Sequence, residues 1–250
     1  MSTHHKFFSD KSELYASARP AYPAELYDFL RVQCEDLESC WDCATGSGQA
    51  AVALADIFDH VEASDVSAEQ IEHAVLHERV NYSVQAAEKT DYADHGFDLI
   101  TVAQALHWFD FQPFWLEVDR VLKPGGVFAT WFYSWFKIND EIDAIIQSHL
   151  LDVIEPYWAA QNRLAWDHYR DVEFPLTEIP TPTIPLTFDW QLDQVLAYVG
   201  TWSATRRCSE DKDNGFFDEF VNAMSVAWGD PLQSRRVEMD FFFKVGRKQL

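Results

Sequence analysis

The chain has 250 residues, of which 48% are hydrophobic and 15% aromatic, enough to bury a substantial core in a soluble globular protein. Its formal net charge of −22 repels phosphate backbones, which argues against a nucleic-acid partner. No apolar run approaches the roughly eighteen residues of a membrane helix, and no signal-peptide pattern is seen, so we expect a cytoplasmic protein with no membrane partner, either a monomer or a homodimer.

Strands and helices are predicted to alternate through the first half of the chain. Apolar stretches predict five strands, at 40–44, 60–65, 80–84, 97–103 and 126–132. The helices after the first, second and fourth strands carry apolar residues at helical spacing: Ala51, Leu54, Ala55 and Phe58; Ile71, Ala74 and Val75; Phe111, Phe114, Trp115 and Val118. Ser67 is the expected N-cap of the second helix. This alternation predicts an α/β fold with an open, doubly wound, mostly parallel sheet.

The pattern changes after Tyr133. Residues 134–183 are rich in Trp, Tyr and charge, and together with 191–230 they predict a helical cap or insertion. Further strands at 186–190 and 237–245 bring the predicted sheet to seven strands. The alternating apolar residues of the last one indicate a strand that pairs antiparallel at the edge of the sheet. We expect a single domain over residues 1–250 that includes this cap.

Two of the four cysteines, Cys40 and Cys43, form a C-x-x-C pair inside the first predicted strand. A redox pair needs its first thiol at a helix N-terminus, whereas residues three apart on a strand point to opposite faces of the sheet. We therefore interpret both cysteines as small buried apolar residues. No pattern of metal-ligating residues stands out, and we expect no metal site.

A tight turn joins the first strand to its helix in the stretch "CWDCATGSGQAAVALADIF", residues 40–58. In a doubly wound sheet, this turn approaches the ligand, and Gly46 and Gly48 remove side chains that would block the approach. Asp65 ends the second strand, where its carboxylate can accept hydrogen bonds from both hydroxyls of a ribose. Together these residues indicate an adenosine-type ligand, either a dinucleotide or S-adenosylmethionine.

Asp42 favours the second of these ligands. A dinucleotide turn brings a helix N-terminus onto a pyrophosphate, which an acid at the end of the first strand would repel. The same carboxylate is suited to the amino group of a methionine. The stretch "DCATGSG", residues 42–48, resembles the first motif, D/E-x-G-x-G-x-G, of the class I S-adenosylmethionine-dependent methyltransferases. Ala44 stands where that motif has its first glycine.

The resemblance extends to the small-molecule branch that includes trans-aconitate methyltransferase. Five further stretches are similar to it in the right order: "FSDKSELYASARPAYP" (8–23), "AAEKTDY" (86–92), "AQALHWFD" (103–110), "LKPGGVFATW" (122–131) and "TWSATRR" (201–207). The resemblance implies a Rossmann-like methyltransferase fold with S-adenosylmethionine as the cofactor. It also implies the cofactor-binding residues, which are Asp42, Ala44, Gly46, Gly48, Gln49, Asp65, Val66, Ala86, Ala87, Glu88 and Gln104.

The same resemblance places a second group of residues toward the methyl acceptor. These residues are Tyr15, Arg19, Trp108, Trp202 and Arg206, with His107 as the candidate catalytic base. Each has a structural alternative: His107 as a core histidine, Trp108 as a packing residue and the arginines as solvated charges. We also expect residues 1–23 and 134–207 to close over the cleft as a lid, because a sulfonium must be kept from water.

The expected function is therefore methyl transfer to a small molecule. Charge argues for a cationic acceptor, but Arg19 and Arg206 are suited to a carboxylate, and we favour O-methylation of a carboxylic acid. A carboxylate needs no base, whereas an amine or a hydroxyl would need one, such as His107. The alternatives are a small-molecule N-methyltransferase, a nicotinamide-dependent oxidoreductase and a protein that binds S-adenosylmethionine without turnover.

Overall fold

A computed structural model describes residues 19–250 of the chain. Tyr15 and most of the expected lid segment 1–23 lie outside these residues. Within residues 19–250, the chain has eight strands: β1 (Ser39–Cys43), β2 (His60–Asp65), β3 (Val80–Val84), β4 (Phe97–Ala103), β5 (Leu122–Lys137), β6 (Thr177–Ile179), β7 (Leu186–Trp190) and β8 (Arg235–Arg247).

The strands form one sheet in the order β3-β2-β1-β4-β5-β8-β6, and β7 pairs with β8 off this path. Strands β1 to β5 pair in parallel, while β6 and β7 both run antiparallel to β8. The predicted α/β fold with a mostly parallel sheet is confirmed, with eight strands where seven were expected. β8 runs antiparallel to β6 and β7, but it is not the edge strand that was predicted, because β6 lies beyond it.

Helices fill the connections between the strands. They are α1 (Ala24–Gln33), α2 (Gln49–Leu54), α3 (Ala68–Glu72), α4 (Phe111–Val121), α5 (Asp140–Ile146), α6 (Asp152–Ile154), α7 (Asn162–Trp166), α8 (Leu192–Gly200), α9 (Ser203–Lys212) and α10 (Gly215–Trp228). The 3-10 turn Leu106–Trp108 precedes α4, and the π-helical turn Gln147–Leu151 follows α5. No helix among residues 19–250 has the length and apolar character needed to cross a membrane.

The apolar patterns explain these elements. Leu54, the last residue of α2, is buried as predicted, and so are Phe114 and Val118 on α4. Phe58, predicted on the same helix as Leu54, is also buried but lies beyond the end of α2. Ser67 caps α3 as expected, its hydroxyl accepting the backbone N–H of Gln70 at 3.3 Å. However, α3 ends at Glu72, before the predicted inner-face residues Ala74 and Val75. Val75, expected on its inner face, is instead 54% exposed.

The cysteine prediction is confirmed. Cys40 and Cys43 are free and buried, and they belong to separate apolar clusters of the core. Burial raises the pKa of both thiols well above the usual range, so neither is poised as a thiolate. Neither cysteine has the environment of a redox residue.

The chain divides into two compact units. We call one the sheet unit, made of Ala21–Ser134, Arg163–Pro185 and Phe241–Leu250. The other, the helical unit, contains Trp135–Asn162 and Leu186–Asp240. Arg19 and Pro20 group with the helical unit. Strands β5 and β8 each begin in one unit and end in the other.

Candidate active site

The candidate site lies at the carboxyl edge of the sheet. Strand order reverses between β1 and β4, since β2 and β3 follow on one side of β1 and β5 follows on the other side of β4. Loops that leave the sheet at such a reversal diverge and open a crevice for a ligand. The loops after β1 and β4 carry Thr45–Gly48 and Gln104–Trp108, so the predicted cofactor residues and His107 lie at this edge of the sheet unit.

The turn after β1 is built from left-handed residues. Ala44, Gly46 and Gly48 have φ angles of +55°, +57° and +86°. The Gly48 N–H donates to the Thr45 carbonyl oxygen at 3.0 Å, which closes the turn. Ala44 has the backbone conformation that favours the glycine of the family motif. Its methyl group is accommodated there at a backbone cost of about 1 kcal/mol.

A side chain would meet different surroundings at Gly46 and at Gly48. A Cβ atom at Gly48 would lie 2.1 Å from the Tyr82 hydroxyl oxygen, whereas one at Gly46 would meet nothing closer than Gln70 Oε1 at 3.7 Å. The Tyr82 hydroxyl donates to the Val75 carbonyl oxygen at 2.7 Å and is held in place. Gly48 therefore makes room for Tyr82, and Gly46 is the glycine that leaves space beside the turn.

Gly48→Ala is expected to destabilise the protein by about 1–2 kcal/mol. The alanine would have to adopt a left-handed backbone conformation, and its methyl group would clash with the Tyr82 hydroxyl. Gly46→Ala is the matched control, because it carries the backbone cost without the clash. Urea unfolding of both variants, alone and with Tyr82→Phe, measures the effect. The extra loss at Gly48 should shrink when the Tyr82 hydroxyl is removed, and equal losses in both backgrounds would contradict the clash.

Asp65 links the first two strand ends. Its carboxylate accepts the backbone N–H groups of Gly46 and Ser67, each at 2.9 Å and each on a different oxygen. A carboxylate oxygen has two lone pairs, so each oxygen keeps one acceptor position. The side chain is half-buried. These two positions can accept the two hydroxyls of a ribose.

Asp42 is fully buried beneath the turn. One carboxylate oxygen accepts the Thr45 hydroxyl at 2.6 Å, and the other accepts the Thr101 hydroxyl at 2.7 Å. Burial raises the pKa of Asp42 to about 6. The hydrogen bonds from the two hydroxyls and from the Ala51 backbone N–H lower this pKa, but they offset only part of the rise. In this arrangement Asp42 ties β1, β4 and the turn together, and its predicted contact with the methionine amino group stays a prediction.

The residues predicted around the adenine lie after β2 and β3. Val66 follows Asp65 and is 76% exposed, so its side chain is open to contact with a ligand. Ala86 is exposed and Ala87 is buried. A Glu88 carboxylate oxygen accepts the Asp110 backbone N–H at 3.1 Å, which ties the loop after β3 to the start of α4.

Gln104 carries two marks of a ligand-binding residue. It has a left-handed φ of +60° although it is not a glycine, and its backbone N–H donates to the Trp131 carbonyl oxygen at 2.9 Å. Its side-chain Nε2 is buried and has no hydrogen-bond partner among the described residues. Buried donors are almost always paired, so this amide is expected to meet a ligand or an ordered water.

His107 is buried at 3% exposure, and Trp108 beside it is 51% exposed. His107 Nδ1 lies 3.0 Å from the Tyr169 hydroxyl, and the imidazole is enclosed by aromatic rings, meeting Phe132 edge-on at 5.5 Å. Gln49 opens α2 in the same unit. The remaining acceptor candidates within residues 19–250, Arg19, Trp202 and Arg206, all belong to the helical unit.

Known proteins with similar sequences indicate the family to which this chain belongs. A family model described as a methyltransferase domain matches residues 41–130. A Dictyostelium discoideum protein provisionally named a methyltransferase is 34% identical over 200 residues, which cover 78% of this chain and 76% of that protein. The chain belongs to the class I S-adenosylmethionine-dependent methyltransferases. Its cofactor is S-adenosylmethionine.

Two further relatives agree with the fold and the family of this methyltransferase. A solved structure from Anaeromyxobacter dehalogenans, provisionally described as a type II methyltransferase, superposes with a TM-score of 0.86 at 33% identity. It covers 93% of this chain and 99% of that one. A Saccharomyces cerevisiae protein, also provisionally named an S-adenosylmethionine-dependent methyltransferase, is 24% identical over 96% of both chains.

The residues of this methyltransferase fit the cofactor. Asp65 would hold the ribose, because both of its oxygens keep an acceptor position. The unpaired Nε2 of Gln104 would donate to the methionine portion, and the space beside Gly46 would admit it. The neutral amide of Gln104 can donate to the anionic carboxylate of the methionine portion without adding charge to the site.

Sequence reasoning missed several residues that shape the site of this methyltransferase. Thr45 and Thr101 hold Asp42, Tyr82 occupies the space at Gly48, and Tyr169 contacts His107. Thr45 stands inside the motif and could have been suspected as a partner of Asp42 three residues away. The other three are distant in sequence from their partners, and no local pattern announces them.

Proposed function

We propose that this methyltransferase methylates a carboxylate group of a small acid and forms its methyl ester. The observation that carries the proposal is the state of His107, the candidate base of the sheet unit. Its Nδ1 is already engaged by the Tyr169 hydroxyl, and the ring is buried among aromatic side chains. An acceptor that arrives without a proton to lose suits such a site best.

The chemistry needs alignment more than proton transfer. Bound S-adenosylmethionine supplies an electrophilic methyl group on a cationic sulfur. A carboxylate oxygen of the acceptor would take this methyl group, and the electron pair of the broken carbon–sulfur bond would stay on sulfur. The protein holds the two reactants in line, which is worth up to roughly 7–11 kcal/mol. No group of His, Cys, Asp and Glu residues among those described could bind a metal ion that would assist.

Basic and aromatic residues support an acid with an apolar body. Arg19 and Arg206 are exposed, and a planar guanidinium pairs with a carboxylate through two parallel hydrogen bonds. Within the helical unit, Trp202 packs 5.9 Å from Trp135 and 5.8 Å from Trp158, and all three are only half-buried. Such a surface suits the flat or apolar part of a small molecule.

The proposal is tested by the stability of the methylated product toward mild base, because a methyl ester is hydrolysed and a methylated amine is not. The purified protein is incubated with S-adenosylmethionine labelled in its methyl group and with matched pairs of small carboxylic acids and amines. We expect label in the acids, released by mild base as labelled methanol. Asp65→Ala is the control that removes cofactor binding. Base-stable label on the amines would replace the proposal by N-methylation, which the net charge of −22 favours through attraction of cations.

Arg19→Ala is expected to raise KM for the best acid about tenfold or more, while His107→Ala keeps most of kcat, because a carboxylate needs no base. Arg236→Ala, at an exposed position on β8, is the matched control for loss of positive charge. Steady-state kinetics of the three variants measures the effects. A fall in kcat of about 10²-fold in His107→Ala alone would mark His107 as a base and contradict the carboxylate acceptor.

We further propose that the enzyme acts in the cytoplasm on a small molecule and not on nucleic acid. Its −22 charge supports this, as does the scarcity of basic residues. The lid over 1–23 and 134–207, the trans-aconitate branch and the monomeric or dimeric state remain predictions. Membership of the methyltransferase family sets aside the nicotinamide-dependent alternative.

A further inference from the structure

The loop that follows β3 lies beside Asp65 at the carboxyl edge of the sheet. It begins with Gln85, whose backbone N–H donates to the Asp65 carbonyl oxygen at 3.1 Å. A tight turn follows, in which the Lys89 N–H donates to the Ala86 carbonyl oxygen at 3.4 Å. This turn carries the residues that were expected to flank the adenine, so its position matters for the cofactor.

A carboxylate on α4 holds the end of this loop. Glu117 is only 7% exposed, although it is charged. Its Oε1 atom accepts the Thr90 backbone N–H at 2.7 Å and the Thr90 hydroxyl at 2.6 Å. Thr90 is buried as well, and it stands immediately after the turn. Because one oxygen binds two donors of the same residue, the position of Glu117 determines where the turn ends.

Arg120 binds both the Glu117 carboxylate and the loop. It donates to Glu117 Oε2 through Nε at 3.0 Å and to Oε1 through Nη2 at 2.7 Å. It also donates to the carbonyl oxygens of Tyr92 at 2.7 Å and of Thr90 at 3.2 Å. Burial raises the pKa of Glu117, but the hydrogen bonds from Arg120 and Thr90 outweigh it and lower that pKa. The carboxylate is therefore ionised at neutral pH, and its hydrogen bonds are charge-assisted.

A similar carboxylate lies at the opposite, amino edge of the sheet. Asp98 is 6% exposed, and it accepts the backbone N–H groups of Glu38 at 3.1 Å and of Ser39 at 2.9 Å. It also pairs with Lys123 at 2.6 Å. Asp98 and Glu117 thus share their chemistry, a buried acid that binds backbone N–H groups and a cation. They differ in position, because only Glu117 holds a loop at the edge of the candidate site.

We propose that Glu117 is a positioning residue for S-adenosylmethionine, which acts through Thr90 to hold the loop after β3 in the conformation that binds the adenosine portion. Its carboxylate is buried against Thr90 and Arg120, so it acts through the loop. A loop that held this conformation for only part of the time would lower the apparent affinity in proportion. The proposal concerns the cofactor and does not depend on the proposed carboxylate acceptor.

Titration calorimetry with S-adenosylhomocysteine tests the proposal in Glu117→Ala, Glu117→Gln and Asp98→Ala. Glu117→Ala should raise the dissociation constant about tenfold, because both Thr90 donors lose their acceptor and the loop is released. Glu117→Gln should lose much less affinity, since the amide oxygen can still accept from Thr90. Asp98→Ala is the matched control. Urea unfolding should show that it is destabilised, yet its affinity for S-adenosylhomocysteine should be unchanged.

Steady-state kinetics with the best acceptor separates positioning from a general loss of structure. Glu117→Ala should raise KM for S-adenosylmethionine about tenfold and keep kcat at saturating cofactor. Equal losses of affinity in Glu117→Ala and Asp98→Ala would overturn the proposal, and so would an unchanged affinity in a folded Glu117→Ala protein.

Thr90→Val tests the same link if Glu117→Ala does not fold. It removes one of the two donors to Glu117 and keeps the shape of the side chain, so the dissociation constant should rise about threefold. An unchanged value would overturn the proposal. The calorimetry includes no acceptor, so an acceptor other than a carboxylate would leave this test intact.

Discussion

Asp65→Ala is expected to weaken the binding of S-adenosylhomocysteine by roughly 1.5–3 kcal/mol, which is about tenfold to 150-fold in the dissociation constant. The carboxylate of Asp65 keeps one acceptor position on each oxygen after binding the Gly46 and Ser67 N–H groups. Both positions would serve ribose hydroxyls, and hydrogen bonds to a charged group are the strong ones. Alanine removes all of them.

Titration calorimetry with S-adenosylhomocysteine measures this loss. Asp65→Asn is the intermediate case, because an amide keeps one acceptor oxygen, and its loss should be smaller. Asp59→Ala, which removes an exposed acid just before β2, controls for the change in net charge. Urea unfolding of each variant separates weaker binding from a loosened turn. An affinity that is unchanged in a folded Asp65→Ala protein would remove Asp65 from the cofactor site.

The stability of the protein should carry a pH-dependent contribution from Asp42 of about 3 kcal/mol. Burial raises its pKa to about 6 in the folded state, above the ordinary value of 3.8. The folded protein therefore binds this proton more tightly than the unfolded chain does. The stabilisation is fully present below about pH 4 and is lost as the pH rises through about 6.

Asp42→Asn removes this titration and preserves the shape of the side chain. The free energy of unfolding of the unmodified protein, minus that of Asp42→Asn, should fall by about 1 kcal/mol between pH 5 and pH 7. Urea unfolding at low protein concentration measures it, since the isoelectric point is near 4.6. Asp59→Asn, an exposed acid, should give a difference that stays nearly flat over the same range. A flat difference for Asp42→Asn would show that its pKa is not raised.

The parts of the fold that sequence predicted well rest on local patterns. β4 was predicted at its observed bounds, because a short, mostly apolar run marks a strand that is covered on both faces. The Ser67 cap follows the same logic. β6 was missed because Thr177–Ile179 is only three residues long and mostly exposed, so it carries no apolar alternation. It depends on pairing with β8, which is distant in the chain.

The candidate site was predictable only where its chemistry is local. The glycine turn at Gly46 and the acid Asp65 have the sequence spacing that is typical of an adenosine-binding site. In the structure, the Gly46 N–H donates to the Asp65 carboxylate at 2.9 Å. The reason for Gly48 was not predictable, since it depends on the Tyr82 hydroxyl, which arrives from β3. Tyr169 reaches His107 from a segment expected to be a cap, and only the folded chain reveals the pair.

The left-handed backbone of Ala44 and Gln104 has a consequence for directed evolution. Glycine at either position would relieve the backbone, and at Gln104 it would also remove an unpaired buried amide. Selection for heat resistance alone would therefore enrich glycine at both positions. At Ala44 the change restores the residue of the family motif and should leave turnover intact. At Gln104 the change to glycine removes a hydrogen-bond donor that the cofactor would use. The same selection would therefore yield proteins that are more heat-stable but bind the cofactor more weakly.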